Sequence, residues 1–159
     1  MKMWMKICAL AIAVMLLAFA LADTPPLNSG LFSDAKNALV CLNNGEFERL
    51  VTLLRFNGVA PGASEWQNFA YGNFSTLGNG VQTTYAVAYW SDGAWKIAVP
   101  VSEPSDGGVE ALVLLSGDGL TFSGYRYARW SQVDQEVQGA AYSVWNQEYF
   151  GASPSVASD

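Results

Sequence analysis

Three aspartates in this sequence, Asp92, Asp106 and Asp118, each precede a glycine in a short polar segment. A calcium loop would need further oxygen ligands at alternate positions, in the pattern D-x-[DN]-x-[DN]-G, and none of the three segments has them. Asp-Gly is also the pair that tight hairpin turns need, because glycine adopts a positive φ without a Cβ clash. The sequence therefore predicts turns here, and neither a metal site nor a cofactor.

Acid–base catalysis of the isomerase or dehydratase type would need a carboxylate in an apolar pocket beside a hydrogen-bonding tyrosine. Tyr85, Tyr89 and Tyr127 are candidate donors. Glu110 is the only carboxylate inside a predicted strand, and its even position is out of phase with the apolar odd positions around it, which predicts a solvent-facing side chain. The chain has no histidine and no G-x-S-x-G segment, so a serine or cysteine nucleophile lacks a base. No catalytic residue is predicted.

Aromatic residues make up 13% of the chain, and tryptophan and tyrosine rings can stack on a ligand while their polar atoms bond to it. Rings alternate with two arginines in the segment Tyr125–Trp130, and Trp90 and Trp95 flank one turn. Such surfaces bind sugars, peptides or proteins through stacking and carboxylate pairing. The candidate ligand-binding residues are Trp66, Tyr85, Tyr89, Trp95, Tyr125, Tyr127, Arg126 and Arg129.

The charge balance restricts the partners. The 14 acidic residues outnumber the eight basic ones, which gives a formal charge of −6. Nucleic acids and anionic membranes are bound by positive patches or grooves, which such a chain can hardly offer. We therefore expect a small molecule, a peptide or a protein as partner, and no nucleic acid.

The N-terminus has the pattern of a signal peptide. Lys2 and Lys6 precede an uncharged apolar run from Ile7 to Leu21, shorter than the about 20 residues of a membrane-spanning helix. Ala20 and Ala22 have the small-x-small spacing of a cleavage site. Residues 1–22 are therefore predicted to be removed, which implies an exported protein in the periplasm or outside the cell, with no membrane anchor.

The rest of the chain reads as one domain over residues 23–151, followed by a small, polar tail over 152–159 that is predicted to be disordered. Cys41 is the only cysteine after the signal peptide. It could form an intermolecular disulfide, but its apolar neighbours favour a buried position on a packed helix face.

Helical periodicity marks the first part of the chain. A helix capped by Ser33 is predicted over 34–43, and a second over 46–56, where apolar residues recur at i, i+3, i+4 and i+7. A third helix is predicted from Ser64, which has the capping-box spacing with Gln67. A last helix is predicted from Val133 to Gly151.

Alternation of apolar and polar residues marks the middle of the chain, as in strands with one buried face. Four strands are predicted, with Pro100 at a strand end or an edge and a β-bulge at Ser123-Gly124, where the alternation changes phase. The strands cover residues 81–89, 95–101, 109–115 and 120–130. Helices followed by strands on short turns predict an α+β fold: N-terminal helices packed on a curved four-stranded antiparallel meander, with a C-terminal helix and an apolar hollow.

Two stretches resemble the nuclear-transport-factor-2-like (cystatin-like cone) superfamily, especially its small exported members related to the DUF3887 group. Ala38–Leu54 resembles the opening helix pair of that group, and Trp95–Tyr125 resembles its last two strands with their Asp-Gly hairpin. The resemblance implies a cone-shaped α+β domain and a homodimer that pairs through the open sheet face. The superfamily contains isomerases, dehydratases, ligand binders and partner-binding modules, and no functional residue is transferred from it.

These patterns lead to one main expectation and two alternatives. The main expectation is an exported, non-catalytic domain that holds a small apolar ligand, a peptide or a protein partner in an aromatic-rich cone. One alternative is a small isomerase or dehydratase. The other is an aromatic-platform carbohydrate binder that uses Trp90 and Trp95.

Overall fold

The structure is a computed structural model that describes residues 24–78 and 83–149. The helices of this part of the chain are α1 (Ser29–Asn44), α2 (Phe47–Leu53), α3 (Ala63–Asn73) and α4 (Trp130–Gln138). The strands are β1 (Thr83–Ser91), β2 (Ala94–Ser102), β3 (Glu110–Ser116), β4 (Gly124–Arg129) and β5 (Tyr142–Tyr149). The predicted signal peptide and tail lie outside the described residues. Within them, no helix has the length and apolar character needed to cross a membrane.

The five strands form one curved, open sheet in the order β4-β3-β2-β1-β5, with every neighbouring pair antiparallel. The first four strands are a meander, as the sequence predicts. The helices α1, α2 and α3 precede it and α4 follows it, so the predicted α+β fold is confirmed.

The C-terminal part of the domain differs from its prediction, because the helix expected to end at Gly151 ends at Gln138. Tyr142–Tyr149 instead form β5, which pairs with β1 over eight residues without a register shift. Glycine at position 139 disfavours continuing the helix, and the segment YSVWNQEY that follows contains three aromatic residues and a valine, types enriched in strands. Local propensity therefore outweighs the helical spacing of the apolar residues.

Both faces of the central strands β1, β2 and β3 are buried, whereas the alternation in the sequence predicts one buried face. The face toward α1, α2 and α3 carries the main core, whose sheet residues include Ala88, Ile97 and Leu114. The opposite face carries a second core in which Val133 of α4 packs near Tyr89. The face through which a homodimer was expected to pair is therefore covered in part by α4.

The first helix begins earlier than predicted. Asn28 caps it by accepting a hydrogen bond from the backbone N–H of Gly30 at 2.7 Å, whereas Ser33 was expected to cap it. The earlier cap extends the buried helix face by Leu31 and Phe32. Cys41 lies on that face and is 1% exposed, so its predicted burial is confirmed.

The other two N-terminal helices are found close to their predicted positions. Phe47 and Leu50 bury the face of α2. The cap of α3 is made by Glu65, whose carboxylate accepts a hydrogen bond from the backbone N–H of Gly62 at 2.9 Å, so the predicted Ser64–Gln67 box is wrong by two residues at both positions.

The predicted β-bulge in β4 is wrong, because that strand begins only at Gly124. The preceding residues form a bend, and Phe122 makes an isolated parallel bridge with Phe56 and is fully buried. A register shift occurs instead in β2, between Pro100 and Ser102. β2 is an inner strand, yet its pairing with β1 ends at Ala98, so the missing N–H of Pro100 breaks no bond of that ladder.

The three Asp-Gly segments are turns, as predicted. Asp92 and Gly93 both have a positive φ, of 53° and 74°, and connect β1 to β2 in a two-residue loop. The Asp106 carboxylate accepts a hydrogen bond from the backbone N–H of Gly108, and the Asp118 carboxylate accepts one from that of Leu120.

Residues 24–28, which we term the lead-in, cross one end of the sheet. The Nε1 of Trp95 donates to the carbonyl of Pro25 at 2.7 Å, and the N–H of Asn28 donates to the carbonyl of Gly119 at 2.9 Å. Gly119 has a φ of 74°, and a Cβ added there would lie 2.3 Å from the carbonyl oxygen of Pro26. Only glycine fits at this crossing.

We expect Gly119→Ala to lower the free energy of unfolding by at least ~2 kcal/mol, because it combines a strained φ with a backbone collision. Gly93→Ala is the matched control, since Gly93 has the same φ of 74° and no atom within 4 Å of its added Cβ. Urea unfolding of both variants measures the difference. Equal destabilisation would contradict the close approach of the lead-in to Gly119.

Candidate functional site

A cavity of about 500 Å³ lies between the lead-in, the start of α1 and the edge of the sheet that β5 forms. Its lining is mainly aromatic and aliphatic, with a few polar groups. The apolar residues include Leu27, Phe32, Trp95, Tyr142, Val144 and Trp145, and the polar ones include Thr24, Ser29 and Asn146. Ligand pockets of proteins have this composition and about this volume.

Rings from two strands build one wall of the cavity. Trp95 is 2% exposed and packs edge-to-face against Trp90 and against Tyr142, with centroids 5.8 and 5.7 Å away. Tyr142 and Trp145 are 48% and 54% exposed. The cavity thus has a fixed, buried ring inside and the accessible ring of Tyr142 at its rim, whereas the Trp145 ring packs with Tyr85 and Trp130 on the opposite face of the sheet.

The polar part of the lining is tied to a buried lysine. Lys36 of α1 is fully buried, and its ammonium donates a hydrogen bond to Oδ1 of Asn146 at 2.9 Å. An ammonium group can only donate hydrogen bonds, so it must meet the carbonyl oxygen of the Asn146 amide and not the NH₂ group. The remaining hydrogen-bonding group of that side chain is its NH₂, a donor.

The eight residues predicted to bind a ligand do not come together at this cavity. Only Trp95 lines it. Trp66, Tyr125 and Tyr127 lie at the other edge of the sheet, on the face toward the N-terminal helices. The rings of Trp66 and Tyr125 are 4.3 Å apart, and Trp66 is fully buried, so this group is part of the main core.

The opposite face of the sheet carries Tyr89 and Arg126 in a polar network. The Tyr89 hydroxyl donates to the Glu136 carboxylate at 2.5 Å, and Arg126 donates to the same oxygen at 2.6 Å. Burial and the neighbouring Glu136 carboxylate raise the pKa of the Tyr89 phenol well above its usual range. The network fastens α4, which contains Glu136, to the sheet.

Tyr85 and Arg129 also lie away from the cavity. Tyr85 is on the α4 side and packs edge-to-face on Trp130, with centroids 5.1 Å apart. Arg129 ends β4, where it donates to the carbonyl of Gly108 at 2.7 Å and pairs with Asp106 at 3.5 Å.

The predicted solvent exposure of Glu110 is wrong: the residue is 1% exposed. Its carboxylate accepts hydrogen bonds from the backbone N–H and the hydroxyl of Ser75, at 2.8 and 2.9 Å, and from the hydroxyls of Ser102 and Tyr127. Arg129 lies 4.0 Å away. The even positions of β3 face the N-terminal helices, and the odd positions face the second core, so both phases of this strand are buried.

The surroundings of Glu110 hold it ionised. Burial raises the pKa of a carboxyl group, but the hydrogen bonds from Ser102, Ser75 and Tyr127 outweigh that effect, and the pKa lies below its ordinary value. The carboxylate has four donors and is not part of the cavity lining. Its role in this geometry is to fasten the chain after α3 to β2 and β4.

Sequence reasoning missed Tyr142 and Asn146 and left Trp145 out of the candidate set, because it assigned this segment to a helix. A signal was present in the strand-forming composition that follows Gly139. In a strand, Tyr142, Val144 and Asn146 share one face, and all three line the cavity.

No family model, no curated protein and no solved structure matches this chain. The resemblance to the nuclear-transport-factor-2-like superfamily therefore stays a prediction, and the candidate site is argued from its geometry.

We expect Glu110→Ala to lower the free energy of unfolding by ~3 kcal/mol, because it leaves buried donors without an acceptor. The ionised carboxylate contributes its full stability above the pKa of the unfolded chain, and that contribution is lost as the pH falls through the lower, folded pKa. Glu110→Gln should therefore flatten the acid-side loss of stability, measured by urea unfolding between pH 7 and pH 3.

Glu48→Gln is the matched control, because it makes the same chemical change at an exposed position on α2. An unaltered acid-side slope in Glu110→Gln would contradict the ionised, hydrogen-bonded carboxylate.

Proposed function

We propose that this protein is a non-catalytic binding domain whose cavity takes a small apolar ligand or the apolar side chains of a peptide. The observation that carries the proposal is the cavity itself, with about 500 Å³ of space bounded by Trp95, Tyr142 and Trp145. An apolar ligand gains about 25 cal/mol for each Å² removed from water, so a largely apolar wall can supply most of the affinity.

The polar groups of the lining define the rest of the ligand chemistry. Thr24, Ser29 and Asn146 offer hydroxyl and amide groups, and none of the described lining residues carries a carboxylate. A neutral, mainly apolar ligand with one or two hydrogen-bond acceptors fits this set. The predicted signal peptide suggests that binding takes place outside the cytoplasm, in the periplasm or the medium.

The enzymatic alternative has one supporting observation, the hydrogen bond of 3.1 Å between the Tyr127 hydroxyl and the buried Glu110 carboxylate. A general base, however, needs an open lone pair facing the substrate and a pKa near the working pH. Glu110 has a lowered pKa and four donors, so this pair supports a catalytic function less well than a structural one.

The carbohydrate alternative depends on exposed ring faces. Trp95 is 2% exposed and is packed between Trp90 and Tyr142, so it offers no flat platform. Tyr142 is 48% exposed and favours contact at the rim of the cavity.

We expect the neutral fluorescent probe N-phenyl-1-naphthylamine to bind and to quench the tryptophan fluorescence, because it should lie close to Trp95. Tyr142→Ala should weaken binding of the probe about tenfold, because the loss of one ring contact costs ~1.4 kcal/mol. Tyr71→Ala is the matched control, since Tyr71 is 63% exposed and does not line the cavity.

A second variant fills the cavity instead of enlarging it. Ser29 is exposed at the start of α1 and lines the cavity, so Ser29→Trp should abolish probe binding while leaving the helical circular dichroism unchanged. Probe binding that neither Tyr142→Ala nor Ser29→Trp alters would sink the proposed site.

A further inference from the structure

The strand β5 presents an edge of the sheet with few of the features that protect such edges. Among residues 24–78 and 83–149, no strand pairs with its outer side. The eight residues Tyr142–Tyr149 contain no proline, glycine, lysine or arginine, and their pairing with β1 shows no bulge. Natural sheets block exposed edges with such residues or bulges, so β5 is suited to accept another strand.

The opposite edge of the sheet is built differently. β4 has six residues, begins with a glycine and contains the two arginines Arg126 and Arg129, both held in ion pairs. Among the described residues, β5 is thus the edge with fewer protective features.

The cavity lies beside the β5 edge, and side chains at alternate positions of this strand line it. Tyr142, Val144 and Asn146 occupy alternate positions on the face toward the N-terminal helices, and all three line the cavity. A strand added beside β5 would run about 4.8 Å away with the same two-residue repeat. Alternate side chains of that strand would therefore meet the cavity.

The other face of the same edge carries a ring cluster, formed by Tyr85, Trp130 and Trp145, whose centroids are 5.1 to 6.4 Å apart. Trp145 is 54% exposed. Burial raises the pKa of the Tyr85 phenol, and the negative charges of Asp134 and Glu103 raise it further. Rings beside negative charge attract cations, and guanidinium groups stack well on tryptophan.

We propose that β5 binds an extended peptide as a sixth strand, with alternate apolar side chains in the cavity and the intervening basic side chains on the ring cluster. Main-chain hydrogen bonds supply affinity in this mode, and the two faces read alternate side chains. The proposal rests on the proposed function, because it identifies the occupant of the same cavity. The formal charge of −6 also favours a basic peptide.

A second copy of this chain is a poorer occupant of the edge. The segment Tyr142–Tyr149 contains no lysine or arginine. A second β5 would thus bring no positive charge to the rings, and both copies carry the same net negative charge.

The test uses the purified protein and the peptide acetyl-(Leu-Arg)₄-amide, followed by calorimetry and by amide hydrogen exchange of β5. Alternate amides of β5 should become protected, because in an antiparallel strand every second residue directs its N–H outward. A block peptide of the same composition, acetyl-Leu₄-Arg₄-amide, and the charge-reversed acetyl-(Leu-Glu)₄-amide should each bind at least about tenfold more weakly.

Two backbone variants of the peptide separate strand addition from side-chain binding alone. N-methylation of all leucines and N-methylation of all arginines remove the two alternate sets of N–H groups, and one of these peptides should lose binding while the other retains it. Trp145→Ala should weaken binding of the parent peptide about fivefold, whereas Leu120→Ala, a change at a residue 57% exposed outside β5, should not.

The outcomes distinguish this proposal from the proposed function. If the naphthylamine probe binds and the alternating peptide does not, or if both N-methylated peptides bind like the parent, strand addition is wrong and the cavity function stands. If neither probe nor peptide binds, both proposals fail. If the β5 amides become protected without peptide as protein concentration rises, a second copy occupies the edge and the peptide proposal is wrong.

Discussion

The need to bury both faces of one antiparallel sheet shapes the rest of this protein. β1, β2 and β3 carry apolar side chains in both phases, so one layer of helices could cover only half of that surface. The helix α4 covers part of the second face, and the chain then returns beside β1 as β5. That return leaves β5 at an edge, where the lead-in crosses the end of the sheet and the cavity opens. The candidate site is therefore a consequence of how the second face is covered.

Buried and half-buried polar groups hold the layers in this arrangement. Glu110 joins the chain after α3 to two strands, Glu136 joins α4 to Tyr89, and Lys36 joins α1 to Asn146 of β5. Burying a charge costs free energy unless the charge is fully hydrogen-bonded. This packing of the helices is therefore strongly preferred over packings that would leave one of these charges without partners. Two of these contacts involve residues whose positions were predicted wrongly from the sequence: Glu110, expected in solvent, and Asn146 of β5, expected in a helix.

The proposed binding function follows from rigidity on one side of the cavity and openness on the other. Trp95 is fixed by ring contacts and by its hydrogen bond to Pro25, so the inner wall is preorganised and loses little entropy when a ligand binds. Tyr142 is exposed at the rim of the cavity, where a ligand first makes contact, and Trp145 is exposed on the opposite face of the same strand. The free outer side of β5 lies beside this cavity. Strand addition there combines hydrogen bonds to the main chain of a peptide with selection of the peptide's side chains.

The local properties of the sequence determined much of the fold: the helix periodicity, the Asp-Gly turns such as Asp92-Gly93 and the alternation of the first four strands all follow from interactions within a few residues. Tertiary structure decided the rest. Whether the even or the odd phase of β3 is buried depends on what packs on each face, and for that reason Glu110 could not be placed from alternation alone. The composition of Tyr142–Tyr149 favours a strand, and pairing with the free edge of β1 fixed its place in the sheet. The cavity exists because that strand and the lead-in, far apart in sequence, meet at Trp95.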